Sequence, residues 1–214
     1  MTSPHLRRLS TPRAAAVAGV LFALLFGTSL VLIRVALPEG EQPGAQWLTP
    51  GSSNLRIAAT IMPFAGIAFL WFMGVVRDGL GRYEDKFFST VFVGSGLLFL
   101  STMFVAAGVG AGLERSHAAG DPGVAAFGQM VLLTVSKTYA LRMAAVFMIS
   151  LATIWLRTGL MPRWLVAVSY LSALGLLIAS DVSMWLTLAF PIWVLVVSAL
   201  LLVRSGVIDL DRGD

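Results

Sequence analysis

Two cations five residues apart, Lys137 and Arg142, stand at the start of an apolar run that ends near Arg157. About 20 residues cross the hydrocarbon core of a bilayer, at about 1.5 Å each. Counting back from Arg157 puts Lys137 near one interface and Arg142 about 7–8 Å deeper. A guanidinium keeps its proton there, and lipid offers it no partner. One reading is that Arg142 snorkels to the near interface or pairs with a carboxylate, for which Asp181 is the candidate. The other is that it binds an anionic group, such as a lipid phosphate or a substrate carboxylate. Helical spacing puts Thr138, Tyr139, Arg142, Ala145, Val146, Ile149 and Thr153 on one face. That small and polar face is expected to look into a bundle. Phe147, Met148, Leu151 and Trp155 are expected to look into lipid.

Arg34 and Arg56 fall in the same half of the membrane as Lys137 and Arg142. Glu39, Glu41, Glu114, Asp121 and Asp181 lie in the loops on that side. These groups make either an outer ring of ion pairs or an outward cavity. In the second case Arg142 forms the floor, with Tyr139, Thr138, Lys137, Arg34 and Arg56 as further candidate anion-binding residues and Asp181 as a structural charge partner.

Catalytic and cofactor patterns are weak. The two histidines, His5 and His117, lie outside the apolar segments, so paired haem ligands within a bundle are excluded. No cluster has metal-ligand spacing, and no paired carboxylates or serine–histidine pair stand out. No cofactor and no enzymatic activity are expected. No titratable acid lies deep in an apolar segment, which counts against a proton-driven carrier.

The elements that must position these side chains are membrane helices. The 214 residues are 57% hydrophobic and only 12% charged, about half the charge of a soluble domain. Basic residues never cluster with stacking aromatics, so no nucleic-acid face is present. There is no cysteine, hence no disulfide and no thiolate metal site. Six transmembrane helices are expected at about Ala14–Leu37, Leu55–Val76, Phe87–Leu113, Thr134–Arg157, Trp164–Ser180 and Ser183–Val203. They make one all-α polytopic bundle, flanked by a polar tail over residues 1–13 and a disordered acidic tail over 205–214. Arg7-Arg8 does not read as an export signal, because the apolar run behind it is too long and no cleavage site closes it.

Local signals refine this. Trp47 is expected at the interface, and Arg34 is expected to snorkel. Pro63 should kink the second helix and release the carbonyl of Ala59. Gly108 with Gly112, and Ala106 with Gly110, should allow tight packing within the chain. Asp121-Pro122 reads as a helix start. A helix from there to Arg157 is too long for a bilayer, so a break or interfacial segment is expected over Gly123–Gln129. Ten of the 15 Lys and Arg residues fall in the two tails and the second and fourth loops. Both termini are therefore expected in the cytoplasm.

The stretches Pro63–Phe72, Gly74–Asp78, Glu84–Phe88 and Arg142–Met148 resemble uncharacterised six-span integral membrane proteins of actinobacteria. The resemblance covers most of the chain. It implies a multi-pass protein of the bacterial inner (plasma) membrane, and it carries over no activity and no functional residue. The expected function is that of a non-enzymatic membrane accessory or lipid-binding component, with membrane lipids and a membrane protein as partners. The alternative is a small transporter or channel with an outward-facing anion site around Arg142.

Overall fold

In the computed structural model the described residues are 11–36, 51–80, 86–115, 121–179 and 184–210. The segments containing Arg7, Arg8, Glu39, Glu41, Trp47, His117 and Asp181 lie outside them. All described elements are helical: α1 Thr11–Ala36, α2 Gly51–Leu80, α3 Lys86–Arg115, α4 Pro122–Leu133, α5 Ala140–Thr158, α6 Arg163–Ala179 and α7 Ala189–Leu210. A π turn, Thr134–Tyr139, joins α4 to α5, and a 3₁₀ turn, Met184–Leu188, leads into α7.

Local chemistry sets the ends. The Asp121 carboxylate accepts from the backbone N–H of Gly123 at 2.8 Å and of Val124 at 3.2 Å, with Pro122 at the first helical position. Proline costs little there, because that N–H has no intrahelical acceptor. At the far end of α5, Gly159 turns left-handed (φ 67°), and its N–H closes on the carbonyl of Trp155 at 2.9 Å. Pro162 then starts α6, its carbonyl accepting from Leu165. Pro191 sits in the first turn of α7, where it interrupts no ladder bond. Pro63 lies inside α2 and is exposed.

Five helices are long and apolar enough to cross a membrane, with α4, the π turn and α5 taken together as one of 37 residues. The chain is a multi-pass membrane protein by this measure. Its sixth helical rod, α6, has 17 residues.

Several boundaries differ from those expected. The second helix extends about a turn beyond the apolar run at each end, to Gly51–Leu80, and the third by one and two residues, to Lys86–Arg115. The helix carries on past Arg204 to Leu210, where a disordered tail was expected. The expected break over Gly123–Gln129 is absent: α4 is helical throughout. The irregularity comes later, as the π turn, where Ser136 Oγ donates to the carbonyl of Leu132 at 2.7 Å. A hydroxyl bonded back into the ladder accompanies local bending of a helix.

The glycines of α3 fix how α4 and α5 lie against it. A Cβ on Gly128 would overlap Leu113, one on Gly110 would meet Leu132 at 3.2 Å, and one on Gly96 would press on Phe147. The two rods are thus antiparallel. From Gly128 to Phe147 the α4–α5 rod advances 19 positions against 17 from Leu113 to Gly96, and the π turn within that interval takes up one residue more than a regular helix would. Of the expected close-packing glycines, Gly110 fits, whereas Gly108 and Gly112 face open space.

The centre of the bundle is a layer of phenylalanines. Phe22, Phe69, Phe99, Phe147 and Phe190 are fully buried, with ring centroids 4.6–6.5 Å apart in contacting pairs. Phe26, Phe92 and Trp193 extend it. Tilted and edge-to-face rings at these separations attract through their quadrupoles as well as by dispersion.

Candidate functional site

The orientation of α5 is the main correction. Phe147, Met148 and Leu151 are 0% exposed and Trp155 is 3% exposed, so the bulky face looks inward, not into lipid. The reason is that α5 packs on α3 through one side and on α6 through another. Ala140, Ala144, Ala145 and Ala152 are buried as well. Of the face expected to point inward, Thr138, Arg142, Val146, Ile149 and Thr153 are half-buried, and Tyr139 is 56% exposed. Tyr139 therefore does not line an enclosed cavity.

Arg142 stands five residues outward of Phe147. That places it opposite about residue 101, the midpoint of α3, roughly 22 Å from either end of that helix at 1.5 Å per residue. The hydroxyls of Thr153 and Tyr170 hydrogen-bond at 2.7 Å and set the register of α6 against α5. Arg142 lies eleven residues before Thr153, three turns away, and so on the same side, toward α6. In this register Ala179, the last residue of α6, comes level with Ala144. Arg142 thus stands half a turn beyond the level of Ala179, the last described residue of α6. Lys137 and Thr138 are half-buried in the π turn, and none of Lys137, Thr138 and Arg142 is without a partner.

The other two candidate cations do not join this group. Arg34 does not snorkel. It is 7% exposed, and its Nη2 donates to Thr187 Oγ1 at 2.7 Å, tying the end of α1 to the 3₁₀ turn. Arg56 points the other way: its Nε lies 3.9 Å from Glu114 Oε1, with 68% of the side chain exposed. This is one ion pair of the expected outer ring. Of the six candidates, Lys137, Thr138, Tyr139 and Arg142 follow one another along the π turn and the start of α5, whereas Arg34 and Arg56 make separate contacts with Thr187 and Glu114.

The opposite end of the bundle is more basic. Arg77, Lys86, Arg157 and Arg163 are exposed there, and Arg157 lies 4.7 Å over the ring of Phe88. The sequence pattern did not reveal two further polar contacts: Arg34 with Thr187, and Trp193 Nε1 donating to Ser169 Oγ at 2.8 Å. Both join residues far apart in the chain. Compared with protein-family models, curated proteins and solved structures, the chain finds no match.

Proposed function

We propose that this chain is a non-enzymatic, lipid-binding accessory component of the bacterial inner membrane, crossing it six times with both termini in the cytoplasm. The observation that carries the reading is the phenylalanine layer. Five fully buried rings fill the centre of the bundle among the described residues, which favours a reading without a central conduit. The exposed cations Arg77, Lys86, Arg157 and Arg163 at one end support a cytoplasmic placement of that end. In this reading α6 crosses as a short helix, and Arg142, level with the middle of α3, draws an anionic head group in from the opposite side past Lys137 and Thr138.

A small transporter with an outward anion site at Arg142 is the second reading. It is favoured by the π turn carrying Lys137 and Thr138, since such turns are frequent at functional sites.

Native mass spectrometry of the purified protein separates the two. Bound phospholipid retained by the wild type and depleted in Arg142→Ala is the expected result. A stoichiometric water-soluble anion lost in Arg142→Ala moves the assignment to the transporter. Because the chain has no cysteine, single cysteines at positions 78 and 121 report topology against an impermeant thiol reagent. Labelling of both from the same face overturns the six-span arrangement.

A further inference from the structure

The helices α1 and α2 leave a long groove on their outer surface, with a volume of about 770 Å³. Its floor is Ala18 and Ala68, 5% and 4% exposed, and its walls include Leu21, Phe64 and Trp71, 48–69% exposed. Gly19 lies against Phe72, and Ile33 lines a small cavity with Ala58, so the two helices run antiparallel. Val17 then comes level with Gly74, and Leu25 with Gly66. The groove therefore occupies the half of α2 that leads to Asp78. Both helices are long and apolar enough to cross a membrane, so the groove faces hydrocarbon and takes acyl chains. Every phospholipid brings such chains, and only the head group at the mouth of the groove distinguishes one lipid from another.

The mouth carries an acid. On α2, Phe64, Ile67, Trp71, Gly74 and Asp78 follow one another at helical spacing, and all five are exposed. A Cβ on Gly74 would meet nothing within 4 Å, so the stripe stays open between Trp71 and the Asp78 carboxylate. The ion pair found among the described residues, Arg56 with Glu114, belongs to the other end of α2 and leaves Asp78 without a basic partner there. Along the axis Asp78 is about 10 Å from Trp71 and about 15 Å from Ala68. One leaflet of hydrocarbon is about 15 Å thick. An acyl chain descending from a head group at Asp78 thus passes Trp71 and lies on Ala68.

The head group must suit a carboxylate set among cations. Arg77, Lys86, Arg157 and Arg163 are exposed at this end, and basic residues near a membrane surface hold phosphates. Asp78 calls in addition for a positively charged donor. Phosphatidylethanolamine has both groups: a phosphate, and a primary ammonium whose N–H groups make charge-assisted hydrogen bonds to a carboxylate. The quaternary nitrogen of phosphatidylcholine has no N–H to donate, and phosphatidylglycerol brings a net negative charge against Asp78. We infer that the α1–α2 groove is a site for phosphatidylethanolamine from the leaflet on the Asp78 side, its ammonium on the Asp78 carboxylate and one acyl chain along Trp71 and Ala68. The inference rests on the lipid-binding reading above and names the lipid class and the place.

The test is quenching of tryptophan fluorescence by lipids brominated in the acyl chain, with the full chain in phosphatidylcholine vesicles. The Trp71 signal is isolated by difference from Trp71→Phe, and Trp185, 61% exposed, serves as a control. Brominated phosphatidylethanolamine is expected to quench Trp71 at about two- to threefold lower mole fraction than brominated phosphatidylcholine or phosphatidylglycerol, with no such preference at Trp185. Asp78→Asn should abolish the preference and Asp78→Glu should keep it. Gly74→Leu, which fills the open stretch below Asp78, should weaken it with the carboxylate still in place. Equal quenching by the three lipids in the wild type refutes the inference, as does a preference that survives Asp78→Asn or one for phosphatidylglycerol. A wild type that retains no phospholipid in native mass spectrometry instead overturns the lipid-binding reading itself.

Discussion

Phe147→Ala tests whether the aromatic layer holds the bundle together. The Phe147 ring is fully buried, with centroids 4.5 Å from Phe92, 5.2 Å from Phe69, 5.9 Å from Phe190 and 6.3 Å from Trp193. In a water-soluble core such a truncation costs about 3–5 kcal/mol, partly lost transfer from water and partly the cavity left behind. Here the separated helices stay in lipid, which is as apolar as the interior, so the transfer part largely vanishes. What remains is the cavity and the lost ring pairs, each pair worth about 0.5–1.5 kcal/mol. Because the four pairs share one ring and neighbours relax into the space, the expected loss is about 2–3 kcal/mol. The assay is reversible unfolding in mixed micelles of lipid and denaturing detergent, followed by tryptophan fluorescence. Phe64→Ala, on the exposed surface, is the control and should change stability by less than about 0.5 kcal/mol. A loss below about 1 kcal/mol for Phe147→Ala, or equal effects at the two sites, refutes the claim that the layer carries the packing energy.

Three further outcomes follow from the same contacts. Gly96→Val should be strongly destabilising in the same assay, since the new side chain must occupy the space of Met73 and Phe147, whereas Gly108→Val on the open side should be tolerated. A double-mutant cycle of Thr153→Val and Tyr170→Phe should give a coupling of about 0.6 kcal/mol, and not more than about 1.7; zero coupling removes the basis for the α5–α6 register. Deleting one residue inside the π turn, such as Val135, should restore a regular helix and leave a folded protein, while deleting Ala145 should prevent folding. Equal yields of the two deletions after detergent extraction contradict the assignment of the extra residue to the π turn.

The location of the helices was legible in the sequence because each needs only its own residues. Apolar runs, the Asp121-Pro122 start and the tight turn containing Pro162 all appear where local chemistry puts them. The excess length before Arg157 was legible too, but not its form. A break at Gly123–Gln129 and a π turn at Thr134–Tyr139 both relieve a mismatch, and only packing against α3 selects between them. For the candidate site, proximity in sequence kept Lys137, Thr138 and Arg142 together. The positions of Arg34 and Arg56 depended on Thr187 and Glu114, which are remote in the chain.

Sequence by itself determined that the chain enters a membrane, roughly where it does so, and on which end its positive charge gathers. Only the tertiary structure decided which side of each helix meets its neighbours. In water, burial and exposure differ in polarity, so a helix announces its inner face. In a bilayer the outside is as apolar as the inside. Phe147 and Trp155 on one side of α5 and Ile149 on the other carry no label, and the small polar residues beside Arg142 pointed the wrong way. Fit decides instead: Gly96 leaves room for Met73 and Phe147, and the Thr153–Tyr170 hydrogen bond sets α6 against α5.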